Sequence, residues 1–489
     1  MQLTYKPSDR PTWGKTIVFA IQQVLAILAA TIVVPVIINS SKEGVAVGAQ
    51  LSQSAALFGA GVGTLVYLLF TKFKSPVFLG SSFAFIGSMC AAFAGAASAA
   101  QGYLGIIIGA IFAGLVYVAI SFVVKYAGTA WIDKIMPAAV IGPTVAVIGL
   151  SLAGNAVGDI FKGSYTVKEM VLVIKDDALA LDAVWNPTAN TFIALLCGLV
   201  TLFTVIACSV YGKKMLKMIP FIIGILAGYA VAAIFTVIGH IVENPALKVI
   251  NFGLFANLKD SWMPDFTFVM AMDAFEDLSG FGSFLGSIAV AYVPVAFVVF
   301  AEHLADHKNI SSIIEEDLLK DPGLDRTLLG DGVGSMVGAF FGGCPNTTYG
   351  ESVGCVAISG NASVVTIITA AIICIISAFF APFMVALATI PSCVMGGVCV
   401  ALYGFIAVSG LKMIQKVNLE DNRNLFVVAV ILITGIGGMV INIGKVTITS
   451  VACALILGIL ANLLTHLKKD EKEVVAEVAA EEVETTDAE

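Results

Sequence analysis

Apolar runs about as long as a bilayer is thick recur along almost the whole 489-residue chain. A bilayer core is about 30 Å thick and takes about 20 apolar residues as a helix. Because lipid offers no partners for backbone N–H and C=O groups, a chain with many such runs folds as a bundle of helices. The runs predict an all-α polytopic membrane protein with fourteen transmembrane segments, at residues 15–38, 54–71, 78–99, 103–124, 134–153, 191–211, 217–240, 283–305, 327–343, 351–359, 362–387, 392–412, 425–441 and 446–466.

The composition excludes several other classes of protein. Only 12% of the residues are charged, against about 25% in a soluble domain. The acidic excess behind the net charge of -8 gathers after Asp470, and no basic block suits a nucleic-acid backbone. The nine cysteines include no C-x-x-C pair, which argues against a disulfide framework or a metal site. The N-terminus lacks the pattern of a secretory signal, so the first apolar run is expected to stay in the mature protein.

The positive charges predict the orientation in the membrane. An even number of spans puts both ends of the chain on one side, and cytoplasmic loops carry most of the Lys and Arg residues. With fourteen spans, alternate segments counted from the N-terminus hold 19 of the 26 Lys and Arg residues. Both termini are therefore expected in the cytoplasm, residues 1–14 as a short segment and 468–489 as a disordered acidic tail. The longest external connections, 154–190 and 241–282, are expected to form small caps or amphipathic surface segments.

Three short patterns recur in the same order in both halves of the chain. Gly-x-Gly-x-Gly-Thr at 59–64 matches Gly-x-Gly-x-Gly-Ser at 330–335, a Pro follows in each copy, and Pro-x-x-Val-x-Gly occurs at 137–142 and again at 391–396. Spans two, three and five thus recur as nine, ten and twelve. A shift of seven spans inverts the second copy, as in many secondary transporters. The alternative is that small-residue strings recur by chance, because glycine favours close helix packing.

Ionisable residues inside a span are costly and therefore mark functional sites. Glu302 and Asp306 end the long apolar run of span eight and share a helix face, while His303 and His307 lie on a neighbouring face. The alternative is that the helix leaves the membrane here and the later charges are solvated. The string also resembles metal ligands, but no other residues complete a set, so neither a metal nor a cofactor is expected.

Spans three and ten are expected to be discontinuous. In Cys-Pro-Asn-Thr-Thr-Tyr-Gly-Glu at 344–351, Pro345 ends one helix, residues 347–349 favour an extended backbone and Glu351 opens the next helix. Its repeat mate at 79–83 is expected to do the same. Irregular backbone at this depth is tolerated where it faces a polar cavity, so Glu351 and Glu302 are expected to share one. The alternatives are a plain re-entrant kink and, for Asp331, either a structural carboxylate or a substrate or proton ligand.

These residues resemble a known family. Glu-His at 302–303, Gly-Asp-Gly at 330–332, the Pro-Asn-Thr-Thr-Tyr-Gly-Glu stretch and Gly-Ser-Ser-Phe-Ala-Phe at 80–85 together resemble the nucleobase/ascorbate transporter (nucleobase:cation symporter-2) family, and within it the bacterial uracil permeases. The resemblance covers about residues 12–467. The family signature is met by Glu351, Gly354 and Gly360, whereas Ser352 replaces its Asn and Ser359 replaces its Thr.

The resemblance implies two inverted repeats of seven segments, arranged in two domains. Spans 1–4 (15–124) and 8–11 (283–387) would form a core domain. Spans 5–7 (125–241) and 12–14 (388–467) would form a gate domain, with 242–282 as an external loop.

The resemblance also implies a substrate and the residues that hold it. It implies import of uracil by proton symport across the bacterial inner membrane, with alternating access between core and gate. The expected base-binding groups are the Glu302 and Glu351 carboxyls and the backbone amides of Phe83 and Gly350, with Ser82 and Tyr349 beside them. Glu302, Asp306 and His303 are the candidates for proton coupling. The expected partners are uracil, protons and the lipid bilayer, with a second copy of the chain as a candidate partner.

Other functions remain open at this stage. Xanthine-type members of the family usually carry an amide at the position of Glu351, so its carboxyl favours a pyrimidine over a purine, but the exact base is not determined. Sulfate and bicarbonate exchangers share the architecture, although two acidic residues in the pocket would repel their substrates. A membrane enzyme using the Glu302 cluster as an acid/base or metal site is the third class. The sequence favours a transporter and not an enzyme.

Overall fold

The structure is a computed structural model, and it describes residues 3–175, 178–213, 215–260, 262–276, 281–443 and 446–465. The expected acidic tail at 468–489 lies outside the described residues. Within them the chain is predominantly helical. The helices α1 to α10 are Trp13–Ser40, Lys42–Val47, Gln53–Phe70, Ile86–Ala94, Ala99–Ala127, Ala130–Ile135, Ala138–Ser151, Ala153–Asp159, Thr191–Tyr211 and Met215–Met218. The helices α11 to α20 are Pro220–Ile241, Thr267–Met270, Phe281–Ile314, Leu324–Gly342, Gly350–Ser359, Val364–Ala378, Ala381–Ala388, Ser392–Ile414, Asn422–Ile436 and Ser450–Thr465.

Many of these helices are long and apolar enough to cross a membrane. Among the described residues, eight helical stretches pass on length and composition: α1, α3, α5, α7 together with α8, α9, α11, α13 and α18. A ninth is formed if α16 and α17, bent by 82° at their junction, count as one span. Pro382, near the start of α17, has no N–H to continue the helix ladder. The polytopic membrane fold is therefore present, while the count of fourteen stays a prediction, since α4, α14, α15, α19 and α20 are shorter or less apolar.

Two short strands lie where the sequence predicted extended backbone. Strand β1 (Leu79–Ser81) and a later strand, Asn346–Thr348, pair antiparallel, with Gly80 opposite Thr347. Both strands are fully buried, and each leads toward a short helix, α4 or α15. The two broken elements therefore meet in the interior.

The predicted all-α fold included extended stretches in spans three and ten only, and the structure adds two strand pairs outside them. Strands β2 (Thr166–Lys175) and β3 (Ala178–Pro187) form a hairpin in the connection expected to carry caps or amphipathic segments. The Asn346–Thr348 strand described above is β4. Strand β5 (Ile441–Ile443) pairs with β6 (Val446–Ile448). Because β6 occupies the start of the last predicted span, α20 begins at Ser450 and not at 446. Strands β2, β4, β5 and β6 are rich in β-branched residues, which favour extended backbone, whereas β3 contains one, Val184. Gly438, at φ +69°, lies between α19 and β5 in a conformation that disfavours other residues.

Helix α13 is longer than the predicted span. It runs from Phe281 to Ile314, nine residues beyond the predicted end at 305. Ile310 and Ile314 are buried in the last turns, so the helix continues through the protein after the charged residues. Asp306 and His307 therefore lie inside the helix and not at its exit.

The elements predicted to be repeat mates pack against each other. Helix α3 contacts α14, α7 contacts α18, and β1 pairs with β4. Glycines allow the close approach: a Cβ on Gly59 would lie 2.7 Å from the carbonyl oxygen of Gly338, and one on Gly410 would lie 2.4 Å from that of Gly142. This packing agrees with an inverted repeat, whose symmetry stays a prediction.

Candidate functional site

A cavity of about 480 Å³ opens beside the paired strands, within the size range of small-molecule sites. Its walls come from α1, α7, α9, α10, α11, α13, α15 and α18 together with the two broken elements. Its polar lining residues are Ser209, Lys217, Glu302, Asp306, Thr347, Tyr349, Glu351, Ser409 and Lys412. The other lining residues are Ala26, Phe83, Val145, Pro220, Phe221, Ala305, Gly350, Gly354, Cys355, Ile358, Phe405, Ile406, Val408 and Met413.

Helix α13 presents two carboxyl groups to this cavity. Glu302 and Asp306 are one turn apart and both line it. The hydroxyl of Thr348 donates a hydrogen bond to Asp306 Oδ2 at 2.8 Å. The cavity is lined by five of the six predicted base-binding residues: Glu302, Glu351, Phe83, Gly350 and Tyr349. Asp306, a predicted proton-coupling residue, also lines it. Ser82 is buried but is not among the lining residues.

The two histidines of α13 face away from the cavity. Both are fully buried, which excludes the alternative that they are solvated at the helix exit. His303 Nδ1 lies 2.8 Å from Asp331 Oδ2, and its Nε2 lies 3.0 Å from Thr327 Oγ1. His307 Nε2 lies 2.7 Å from the Tyr67 hydroxyl, and the two imidazole rings stack at 3.9 Å. This face of α13 is thus held to α14 and α3 by hydrogen bonds.

Asp331 belongs to this second face. It is fully buried and contacts His303, and it does not line the cavity. The interpretation as a structural carboxylate is therefore favoured over that as a substrate ligand, while the alternative of a proton ligand stays a prediction.

Hydrogen bonds join the two broken elements. The Ser82 amide donates to the Pro345 carbonyl oxygen at 2.9 Å, and the Tyr349 hydroxyl donates to the Ser81 carbonyl oxygen at 2.9 Å. The Tyr349 ring lies against Gly80, where a Cβ would come within 2.3 Å of the ring. The ring therefore needs glycine at this position.

Helix α15 begins at this junction. The first N–H groups of a helix have no partner within it, and Gly350 and Glu351 place the start of α15 on the cavity wall. Ser352 Oγ accepts a hydrogen bond from the Phe78 amide at 3.0 Å and another from Gln23 Nε2. The serine that replaces the signature's asparagine thus ties α1, the approach to β1 and α15 together.

Several contributing residues were missed by the sequence analysis. Asn346 Nδ2 donates to the Gly59 carbonyl oxygen at 3.0 Å, and its amide lies where a Cβ on Gly338 would be. The glycine repeats of α3 and α14 could have indicated that a side chain fits between these two helices. Lys217 and Lys412 line the cavity, but in the sequence they counted only as loop and helix-end charges. Among the described residues, no group of three or more His, Cys, Asp or Glu side chains is placed to share a metal ion.

Long apolar helices around a cavity lined by carboxyl groups, with two broken elements meeting at its wall, are the features of a polytopic membrane transporter. Comparison with known proteins agrees. Residues 14–444 match the model described as "Permease family", and the chain belongs to this permease family, the nucleobase/ascorbate transporters that its motifs resemble.

Similar proteins are found across the full length. The uracil permease of Bacillus caldolyticus is 36% identical over 459 residues, which cover 93% of each chain. That of Bacillus subtilis (strain 168) is 35% identical over 468 residues, 95% of each chain. That of Escherichia coli (strain K12) is 33% identical over 482 residues, 98% of each chain.

Solved structures share the fold at lower identity. The transmembrane domain of a cyanobacterium bicarbonate transporter, BicA, superposes with a TM-score of 0.56 at 16% identity, covering 96% of this chain and all of the other. The anion transporter SLC26A9 gives a TM-score of 0.58 at 11% identity, covering 92% of this chain and 64% of the other. These likenesses concern the fold alone.

Proposed function

We propose that this protein is a secondary active transporter that imports uracil, or a closely related pyrimidine base, together with protons. The observation that carries the proposal is that Glu302 and Glu351, from two different helices, line one cavity beside the start of α15. Uracil is small, planar and neutral, and its ring N–H donors alternate with carbonyl acceptors. Carboxylates accept from the N–H groups, while free backbone N–H groups at a helix start donate to the carbonyls. The three uracil permeases at 33–36% identity support this substrate class.

The remaining residues around the site have proposed roles that fit a planar base. The backbone amides of Phe83 and Gly350 bind the carbonyl groups, and Phe83 and Tyr349 line the cavity. Recognition of a polar edge rejects analogues strongly, because a missing partner leaves a buried polar group unpaired. Glu351, which can accept but in its ionised form cannot donate, favours the N–H edge of a pyrimidine.

Proton coupling is assigned to the carboxyl groups of α13. Glu302 and Asp306 face the same cavity as the proposed base. A carboxyl group that takes up a proton with the substrate and releases it on the other side of the membrane couples the two fluxes. His303 is the weaker candidate, because it faces α14 and contacts Asp331.

Alternating access between core and gate is the proposed transport cycle. Lys217 and Lys412 line the cavity and belong to the side that the positive charges predict to be cytoplasmic. We therefore assign this conformation to the inward-facing state, in the inner membrane with both termini in the cytoplasm. A homodimer is the proposed assembly.

Equilibrium binding to purified protein tests the substrate class. Labelled uracil is bound and then displaced by a panel of uracil, thymine, xanthine, bicarbonate and sulfate. We expect displacement by uracil and by close pyrimidines, and none by xanthine or by the anions. Displacement by xanthine at concentrations similar to uracil would favour the purine alternative. No binding of labelled uracil, together with binding of labelled bicarbonate or sulfate in a parallel measurement, would favour the exchanger class that shares the fold.

A further inference from the structure

Thr348 lies between the paired strands and the carboxyl groups of α13. It is the last residue of β4, and its backbone is fixed opposite Leu79 in β1. Its hydroxyl donates to Asp306 Oδ2 at 2.8 Å. The other carboxyl oxygen, Asp306 Oδ1, lies 3.7 Å from where a Cβ on Gly350 would be. Asp306 thus contacts the end of the strand with one oxygen and lies over the start of α15 with the other.

We propose that Thr348 is a positioning residue that links the charge of Asp306 to the start of α15, where the base is bound. This inference rests on the proposed function. A hydrogen bond to an ionised carboxylate is roughly twice as strong as one to a neutral group. When Asp306 takes up a proton, its hold on the Thr348 hydroxyl weakens, and the Gly350 amide two residues further on is held less firmly.

The link works in both directions. Coupling between two binding events is reciprocal. If protonation of Asp306 changes the affinity for the base by a given factor, binding of the base changes the affinity of Asp306 for the proton by the same factor. In the sense derived above, a proton on Asp306 weakens binding of the base and the bound base favours the ionised carboxylate, so this link promotes release of the base and not joint uptake.

Other charged groups surround Asp306 and share its environment. Glu302 lies one turn earlier on α13, Glu351 is on α15, and Lys217 and Lys412 line the same cavity from α10 and α18. The ionisable groups on the neighbouring face of α13 are His303 and His307, together with their partners Asp331 and Tyr67. A substitution at Thr348 removes none of these charges, so its effect separates the hydrogen bond from the general electrostatics of the cavity.

A double-mutant cycle tests the proposal. The uracil dissociation constant is measured on purified wild type, Thr348→Val, Asp306→Asn and the double variant. We expect Thr348→Val to weaken binding about tenfold in the wild-type background, and by less than about threefold in the Asp306→Asn background, where only a neutral bond is lost. Thr348→Ser keeps the hydroxyl and should stay within about twofold of wild type. Equal losses in both backgrounds would show that Thr348 acts independently of Asp306.

The pH profile is the second readout. As the pH rises and Asp306 ionises, the increase in dissociation constant caused by Thr348→Val should grow, so the pH profile of the variant is flatter than that of the wild type. A merely structural defect would shift the whole curve without flattening it. If Thr348→Val fails to fold, Thr348→Ala enters the same cycle, and an unflattened profile there overturns the proposal. Wild-type protein that binds no uracil at all would contradict the proposed function itself, so the two failures are distinguishable.

Discussion

Glu351 is the residue whose side chain the proposed site needs most directly. It lies at the start of α15 and lines the cavity opposite α13. Glu351→Ala should weaken uracil binding by about 100-fold, because it removes a charged hydrogen-bond acceptor from a partner that stays buried. Glu316→Ala, an exposed carboxyl beyond the end of α13, is the control and should bind as wild type does. Unchanged affinity in Glu351→Ala protein of normal stability would remove this residue from the site.

Glu302 is proposed both to bind the base and to carry the proton. Glu302→Gln keeps the size and one acceptor oxygen of the side chain but cannot release a proton. We expect this variant to exchange labelled for unlabelled uracil across a vesicle membrane and to fail to accumulate it against a gradient. Measuring both fluxes on the same vesicles separates binding from coupling. Accumulation at the wild-type rate would move the coupling role to another residue.

His303 is expected to act through stability. His303→Ala would leave the fully buried Asp331 carboxyl without its imidazole partner, a loss of about 3 kcal/mol. The melting temperature of the detergent-solubilised protein should fall by several degrees, while His240→Ala, at an exposed position in α11, should leave it unchanged. A His303→Ala protein as stable as wild type that no longer accumulates uracil would instead put His303 on the proton pathway.

At the scale of elements, close packing of glycine faces holds the proposed repeat mates together. Helix α18 offers a matched pair of tests: a Cβ on Gly410 would lie 2.3 Å from the Ala146 amide nitrogen of α7, whereas one on Gly404 has nothing within 4 Å. Gly410→Ala should force α7 and α18 apart and lower the melting temperature. Gly404→Ala should be neutral or stabilising by up to about 1 kcal/mol, because alanine favours helix. Equal effects at both positions would contradict the packing.

The elements that the sequence predicted well are those whose ends carry an unambiguous chemical signal. Helix α18 follows Pro391 and ends near Lys412, and its range is within two residues of the predicted span. The β2–β3 hairpin was missed because short runs of valine, leucine and isoleucine suit a helix or a strand equally well. Whether such a run becomes a strand depends on a second segment that pairs with it, and the hydrophobic periodicity of one run does not reveal that partner.

Most residues of the site could be predicted from the sequence, but the contacts that bury and orient them could not. Glu302, Glu351 and the strand breaks could be found from charge, proline and glycine placed in apolar runs. The burial of His307 could not, because it depends on Tyr67, 240 residues away in the sequence. The end of span eight was predicted too early for the same reason. In the sequence, charged residues whose partners lie in other helices look the same as charged residues at the point where a helix leaves the membrane.

For the whole molecule, we assign one side of the cavity to the cytoplasm. In a cysteine-free background, Lys412→Cys should react with a membrane-impermeant maleimide in inside-out vesicles and not in right-side-out vesicles, and uracil should slow the reaction. Lys162→Cys, exposed beyond α8 in the stretch predicted to be external, is the control and should show the opposite sidedness. Labelling of Lys412→Cys from the outside would reverse the proposed topology.

We propose that this chain couples uracil transport to protons through carboxyl groups in the cavity beside its paired strands. Accumulation of labelled uracil by proteoliposomes of purified protein, under an imposed pH gradient with an alkaline interior, tests this coupling directly. We expect accumulation above the external concentration, abolished by a protonophore and absent in Glu302→Gln. Uracil uptake that only equilibrates, at the same rate with and without the gradient, would contradict it.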